Sequence, residues 1–256
     1  MIFDTHAHYD DEAFDEDREI IIENLQMENV GRVVNVGAHI CGSARSVELA
    51  NRYDMFYAAV GIHPDDAHTA TDEGVDELRK MCRNPKVVAI GEIGLDYYWN
   101  KDNKEVQKAA FVKQIELARE LSLPIIVHSR EAALDTMEIL RNTDAGINGG
   151  VIHCFSYSPE IAKEAVDMGF NIGIGGVLTF KNARKLRETV ECIPMERIVL
   201  ETDCPYLSPE PFRGKRNTSA NIKYVVDEIC RIKNTDSKTV ENITFKNACE
   251  MYGIIL

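Results

Sequence analysis

What this chain has little of narrows it first. Its seven cysteines stand singly, at Cys41, Cys82, Cys154, Cys192, Cys204, Cys230 and Cys249, with no Cys-x-x-Cys pair among them. An odd, scattered set argues against a disulfide framework and for reduced thiols, hence a cytoplasmic protein. No apolar run approaches the roughly 20 residues that span a bilayer, and no basic stretch leads into an apolar one at the N-terminus. Neither a membrane span nor a signal peptide is therefore expected. Positive charge is scarce: 29 Lys and Arg against 42 Asp and Glu give a formal net charge of −13. Tight, non-specific binding to long nucleic acid needs a basic footprint that this balance withholds, although a local cationic site stays open. Glycine and proline are few, and no low-complexity tract, linker-like run or sequence repeat is present, so residues 1–256 read as a single domain.

What is there is an alternation of short β-branched runs and longer amphipathic stretches. Eight runs read as strands: Ile2–His6, Arg32–Gly37, Met55–Ile62, Val87–Ile93, Pro124–His128, Gly150–His153, Phe170–Ile174 and Ile198–Asp203. Interiors such as Ile125-Ile126-Val127 and Ile198-Val199-Leu200 are continuously apolar, as in parallel strands buried on both faces. Helical periodicity shows in Arg18–Asn29, with Ile21, Ile22 and Leu25 on one side, and in Lys104–Leu121, with Phe111, Ile115 and Ala118. Ser158-Pro159 opens a further helix that Gly169 closes, and Asn221–Ile232 and Thr239–Met251 supply two more. Eight βα units in this length is the arithmetic of an α/β protein of the (β/α)8 TIM-barrel class. A doubly wound sheet would announce itself with a glycine-rich phosphate turn after the first strand, and none follows it here.

The first strand instead ends in Asp4-Thr5-His6-Ala7-His8, whose period of two turns Asp4, His6 and His8 to one side. Every strand of such a barrel opens its C-terminal end on the same face, where the active site sits. Strand three ends at His63, strand four at Glu92, strand five at His128, strand six at His153 and strand eight at Asp203. Imidazoles and carboxylates gathered on one rim would repel or lack partners without a cation between them. Four histidines, one Glu and one Asp exceed the needs of one tetrahedral ion and suit two divalent ions about 3.5–4 Å apart. The expected arrangement gives His6, His8 and Asp203 to one ion and His128 and His153 to the other, with Glu92 bridging. A bridging hydroxide is then the nucleophile, and Asp203 holds and receives the proton of that water. Asp4 and Glu201, each two residues before a ligand, are read either as partners of the ligand histidines or as polar residues packed inside the barrel.

These segments resemble, in order, the motifs of the TatD family of metal-dependent hydrolases within the amidohydrolase superfamily. They are Asp4-Thr5-His6-Ala7-His8, Gly61-Ile62-His63-Pro64, Gly91-Glu92-Ile93-Gly94-Leu95-Asp96, His128-Ser129-Arg130, His153-Cys154-Phe155-Ser156 and Glu201-Thr202-Asp203-Cys204-Pro205-Tyr206-Leu207. The resemblance covers essentially the whole chain. It implies the barrel, a divalent-metal centre whose ligands fall on His6, His8, Glu92, His128, His153 and Asp203, and deoxyribonuclease activity, often 3′→5′ exonucleolytic. It also implies a substrate segment after the last ligand, here Arg213-Gly214-Lys215-Arg216-Asn217, where the family commonly continues with an acidic residue and Pro but this chain has Thr218-Ser219.

Three functions follow. The first is a two-metal phosphodiesterase acting on DNA ends or short oligonucleotides, with His63, Arg130, Arg213, Lys215 and Asn217 on the substrate. An end presents few phosphates, which reconciles such a substrate with an acidic protein. Tyr97, Tyr98 and Trp99 after strand four are suited either to stack a terminal base or to anchor a lid. The second keeps the metals and attacks an amide, ester or lactone. The third is a non-catalytic metal-binding protein. Histidine ligands suit Zn, Mn, Co or Ni, and the resemblance adds Mg or Mn for turnover. No obligate protein partner is indicated.

Overall fold

The computed structural model describes residues 1–255. Eight parallel strands form one sheet in the order of the sequence: β1 (Ile2–Ala7), β2 (Val30–Val36), β3 (Phe56–Val60), β4 (Val87–Asp96), β5 (Ile125–Arg130), β6 (Gly150–Ile152), β7 (Phe170–Ile174) and β8 (Ile198–Leu200). The sheet closes where Ala7 bridges Cys204, with the His8 N–H donating to the Cys204 carbonyl at 2.8 Å and the Asp203 N–H to that of His6 at 2.9 Å. It is the TIM barrel expected of the sequence.

Helices alternate with the strands: α1 (Arg18–Asn24), α2 (Ile40–Arg52), α3 (Asp72–Met81), α4 (Lys104–Leu121), α5 (Ala133–Asn142), α6 (Pro159–Asp167), α7 (Arg184–Cys192), α8 (Ile222–Lys233) and α9 (Ser237–Met251). No described helix is long and apolar enough to cross a membrane. The helix expected to reach Asn29 stops at Asn24, because the Val30 N–H must return to the Leu25 carbonyl (3.0 Å) to start β2. Four helices, α2, α3, α5 and α7, are not among those read from the sequence; α3, α5 and α7 bury short apolar pairs, Val75 with Leu78, Met137 with Leu140 and Leu186 with Val190. In α2 the buried positions are Gly42, Ser43, Ser46 and Ala50, small residues that let the helix lie close to the barrel but leave no hydrophobic period.

The apolar residues fall into two layers. Strand residues facing outward pack beneath the helices. Those facing inward, including Phe3, Val34, Val36, Ile126, Val151 and Val199, form a second cluster closed by Ala248, Cys249 and Tyr252 at the end of α9. The Tyr252 hydroxyl donates to the Thr5 carbonyl at 2.9 Å. One mouth of the barrel is thus plugged by α9, and polar groups collect at the other.

The strands that carry His6 and Glu92 are irregular at those residues. Between Asp4 and Ala7, β1 advances three residues while β2 advances two, and between Ile90 and Ile93, β4 does the same against β5. An extra residue in one strand bends it and re-aims a side chain; here the extra residues fall at Thr5-His6 and Gly91-Glu92. Just beyond, Gly94 (φ +148) lies so close to β5 that a Cβ would stand 1.9 Å from the His128 carbonyl oxygen. Only glycine satisfies both the backbone angle and the approach.

Candidate metal centre

The bulge in β1 and the following residue bring the Nε2 atoms of His6 and His8 to 3.1 Å from each other. His8 is oriented from behind, its Nδ1–H donating to the Val36 carbonyl at 2.8 Å, which leaves the Nε2 lone pair toward the mouth. Asp203 enters from the segment after β8. That segment leaves the sheet at Leu200, three residues earlier than the sequence suggests, and turns through a left-handed backbone at Asp203 (φ 57), a conformation Asp tolerates. Its Oδ1 comes to 3.3 Å from His8 Nε2 and 3.7 Å from His6 Nε2.

Glu92 stands in the middle. One oxygen, Oε1, lies 2.6 Å from His128 Nδ1, 2.7 Å from His153 Nε2 and 4.0 Å from His63 Nε2. The other, Oε2, lies 3.5 Å from His6 Nε2 and 3.9 Å from His8 Nε2. A single buried carboxylate therefore faces two groups of imidazoles, one with each oxygen. The structure brings together all six residues expected as ligands, and His63 with them.

The electrostatics follow from the crowding. Burial opposes charge on Glu92, yet the imidazoles of His153 and His128 hold its carboxyl well below the usual range. Burial likewise opposes charge on His8, but Asp203 and Glu92 outweigh it and lift that imidazole to about 10. His6 goes the other way: burial, then the neighbouring His153, press it to about 4. A nest of this kind without an ion relies on protonated imidazoles to balance its carboxylates. Facing nitrogens and carboxylate oxygens are equally the donor set of a divalent cation. Single atoms of His6, His8 and Asp203 lie within 4.8 Å of one another, and the same holds for His63, Glu92 and His128. The residues present fit a metal.

Behind this layer, Asp96 was not singled out from the sequence. Its Oδ2 is 3.2 Å from His128 Nε2, while its Oδ1 accepts the N–H groups of Tyr98 (2.8 Å) and Trp99 (2.9 Å). The available signal was its place in the same strand as Glu92, four residues on. Glu201 accepts the Cys154 N–H at 2.5 Å and lies 3.9 Å from His153 Nδ1. Its Oε2, His6 Nδ1 and His153 Nδ1 are buried without hydrogen-bond partners among the described residues. Gly173 makes room for it, since a Cβ there would come 2.4 Å from Glu201 Oε2. Asp4 makes no hydrogen bond or ion pair with an imidazole among the described residues. It takes the hydroxyls of Thr202 and Ser219, both at 2.6 Å, together with the Thr202 N–H at 3.0 Å, and so ties β1 to the segment that carries Asp203.

The residues expected on the substrate divide. His63 accepts the Asp65 N–H at Nδ1 (3.2 Å), which places its own proton on Nε2, toward Glu92. Arg130 lies over Tyr98 at 4.2 Å and Arg213 over Phe180 at 4.3 Å, both exposed and without a carboxylate partner among the described residues. Lys215 is exposed beside Phe212, whereas Arg216 is bound to Asp17. Asn217 does not face the mouth. It is fully buried, and its amide donates to the carbonyls of Thr202 (3.1 Å) and Tyr206 (2.9 Å), holding the ligand segment in shape.

Comparison with known proteins agrees with this geometry. The family model described as "TatD related DNase" matches residues 3–253. An uncharacterized metal-dependent hydrolase of Bacillus subtilis, YabD, is 45% identical over 254 residues, covering 99% of this chain and 100% of that protein. The 3′-5′ ssDNA/RNA exonuclease TatD of Cronobacter sakazakii is 31% identical over 256 residues, covering 98% of this chain and 97% of that one. The crystal structure of YJJV, a TatD homolog from Escherichia coli, superposes with a TM-score of 0.93 at 30% identity, covering 99% of this chain and 98% of that one. On the family match, which spans nearly every residue, and on the identity to YabD, this chain belongs to the TatD-related DNase family.

Proposed function

We propose that this protein is a metal-dependent hydrolase that cleaves phosphodiester bonds at the ends of nucleic-acid strands, releasing nucleotides from the 3′ end. The observation that carries the reading is the placement of Glu92, one oxygen toward His6 and His8 and the other toward His128 and His153, at the open mouth of the barrel. His6, His8 and Asp203 would hold one divalent cation, His128 and His153 the other, and Glu92 would join them. Bound there, such cations supply a Lewis acid for a phosphoryl oxygen and acidify a water toward neutrality.

The protein's own groups do the rest. Asp203, with 19% of its side chain exposed against 6% for Glu92, meets the solvent of the mouth, and its carboxylate takes the proton of the attacking water. His63, with its proton on Nε2, donates a hydrogen bond to a phosphoryl oxygen. Arg213 and Lys215 offset phosphate charge from the segment after β8, and Arg130 does so from β5. A phosphate substrate is favoured over an acyl one because these cations are exposed on the rim while most other arginines are bound to carboxylates or carbonyls.

The test is hydrolysis by purified protein with Mn, Mg, Zn, Co or Ni, comparing mononucleotide release from short single strands with cleavage of amide, ester and lactone substrates. Mononucleotides are the expected product, and His128→Ala and Asp203→Asn each abolish their release while the circular dichroism of the fold persists. Activity confined to acyl substrates, or full activity in either variant, rejects the proposal.

A further inference from the structure

The turn after β4 presents Tyr98 and Trp99 at 43% and 65% exposure. Rings this exposed contribute little to the core, so burial does not explain two of them side by side on the rim of the open mouth. The turn is nevertheless firmly held. Asp96 accepts both main-chain N–H groups, Gln107 donates to the Asn100 carbonyl and to Asn103 (both 3.0 Å), and Asn100 donates to Asp65 at 2.6 Å, in the loop that carries His63. Because the same Asp96 carboxylate contacts His128, the rings are registered against the metal cluster through one side chain.

Arg130 completes the arrangement. It lies two residues beyond His128 in β5, on the same side of the strand. Its guanidinium rests over Tyr98 at 4.2 Å and near Trp99 at 5.6 Å, with the N–H edge free of any carboxylate among the described residues. Trp99, met edge-on by Tyr98 with ring centroids 4.7 Å apart and planes at 87°, and a planar cation without a carboxylate partner suit a base and its phosphate: every nucleobase offers a π-face, and a guanidinium grips phosphate oxygens in pairs.

We propose that Tyr98, Trp99 and Arg130 form a seat for an unpaired nucleobase beside the scissile phosphate, the base stacking on the Trp99 ring, Tyr98 bracing that ring edge-on and Arg130 holding the adjoining phosphate. The inference rests on the phosphodiesterase reading and names the feature it selects, a single-stranded terminus, since bases in a duplex hide their faces in the stack.

Trp99 is the single tryptophan of the chain, so fluorescence excited at the red edge of indole absorption, where the tyrosines do not absorb, reports on this seat alone. Metal-free protein in chelator, where no hydrolysis occurs, is titrated with a short oligodeoxyribonucleotide, the matching oligoribonucleotide, a strand whose 3′-terminal nucleotide is abasic, and a blunt duplex. Both intact single strands, or one of them, should quench Trp99, the stronger naming the preferred sugar; the abasic end and the duplex should quench little. In the metal-loaded enzyme, Trp99→Ala should raise KM for an intact strand roughly 5- to 150-fold, the span of one lost stacking contact. Trp99→Phe should recover most of that loss, and the penalty of Trp99→Ala should vanish on the abasic-ended strand. Unmoved fluorescence, or an equal penalty on intact and abasic strands, overturns the seat while leaving phosphodiester cleavage intact. Failure to cleave any phosphodiester under metal supplementation overturns the reading beneath it.

Discussion

His6 and His8 are neighbours in sequence and space, yet their surroundings treat them oppositely. Burial and a facing imidazole keep His6 neutral down to about 4, so its lone pair is ready at any ordinary pH. Against burial, Asp203 and Glu92 hold the proton of His8 up to about 10, and Glu92 with Asp96 holds that of His128 up to about 9. A cation needs the lone pair of each, so those two protons must leave when it binds. The sign follows directly: metal affinity is weakest at low pH and climbs between pH 6 and 9 as the competing protons become easier to displace. Calorimetric titration of chelator-treated protein in buffers of different ionisation heat should show release of at least about two protons per protein at pH 7, from His8 and His128, with His153, which Glu92 also holds above its ordinary value, adding to them; an affinity flat across that range would exclude His8 and His128 as ligands. Asp96 acts on His128 from the far side. Asp96→Asn should weaken metal binding about 10- to 100-fold, as loss of an imidazole-orienting carboxylate does. A competing chelator measures it, and unchanged affinity would reduce Asp96 to a cap for the Tyr98–Trp99 turn.

At the level of strands and helices, the bulges in β1 and β4 are what convert a barrel end into a site, and the close approach of β4 to β5 at Gly94 fixes where His128 stands. Gly94→Ala forces a Cβ to 1.9 Å from a backbone oxygen at φ +148. The expected cost is about 3 kcal/mol or more, a melting temperature lower by roughly 6–12 °C in a protein of this size. Gly253→Asn is the matched control, with φ +64 and nothing within 4 Å of the added atom; it should cost less than about 1 kcal/mol because Asn tolerates that backbone. Equal melting of the two variants would show that the β4–β5 contact at Gly94 adds no penalty. The same elements explain what could be read beforehand. The strands were legible because apolar β-branched runs buried on both faces have few alternative readings, and the ligand residues because each follows such a run. The helix α2 was not, since it buries small residues. Asp96 was not, since the extra residue at Gly91-Glu92 breaks the alternation from which its side would have been inferred. Asn217 lay in a basic segment suited to substrate, and only the backbone carbonyls of Thr202 and Tyr206 reveal that its amide is spent on the loop itself.

Taken whole, the molecule is strongly acidic and proposed to act on a polyanion, and the distribution of its charge resolves the conflict. Away from the mouth, cations are matched by the protein's own carboxylates: Arg52 with Glu19 at 2.6 Å, Arg79 with Glu120 at 2.9 Å, Lys113 with Asp72 at 2.7 Å. On the rim, Arg130, Arg213 and Lys215 have aromatic neighbours instead and no such partners among the described residues. A strand can thus be held at its end by two or three phosphates, while the remaining surface repels its body. Each phosphate neutralised on a single strand contributes about −0.7 to the slope of log affinity against log salt. Binding of a single strand to metal-free protein should therefore show a slope of roughly −1.4 to −2.1, and lengthening the strand beyond a few nucleotides should leave it unchanged. Arg213→Ala should make the slope shallower by about 0.7. Fluorescence anisotropy of a labelled strand across roughly 50–300 mM salt, over which the Debye length shortens from about 14 to about 6 Å, measures all three. A slope several times steeper, or one that grows with strand length, would mean that the acidic face takes part in binding and that recognition extends well beyond the mouth of the barrel.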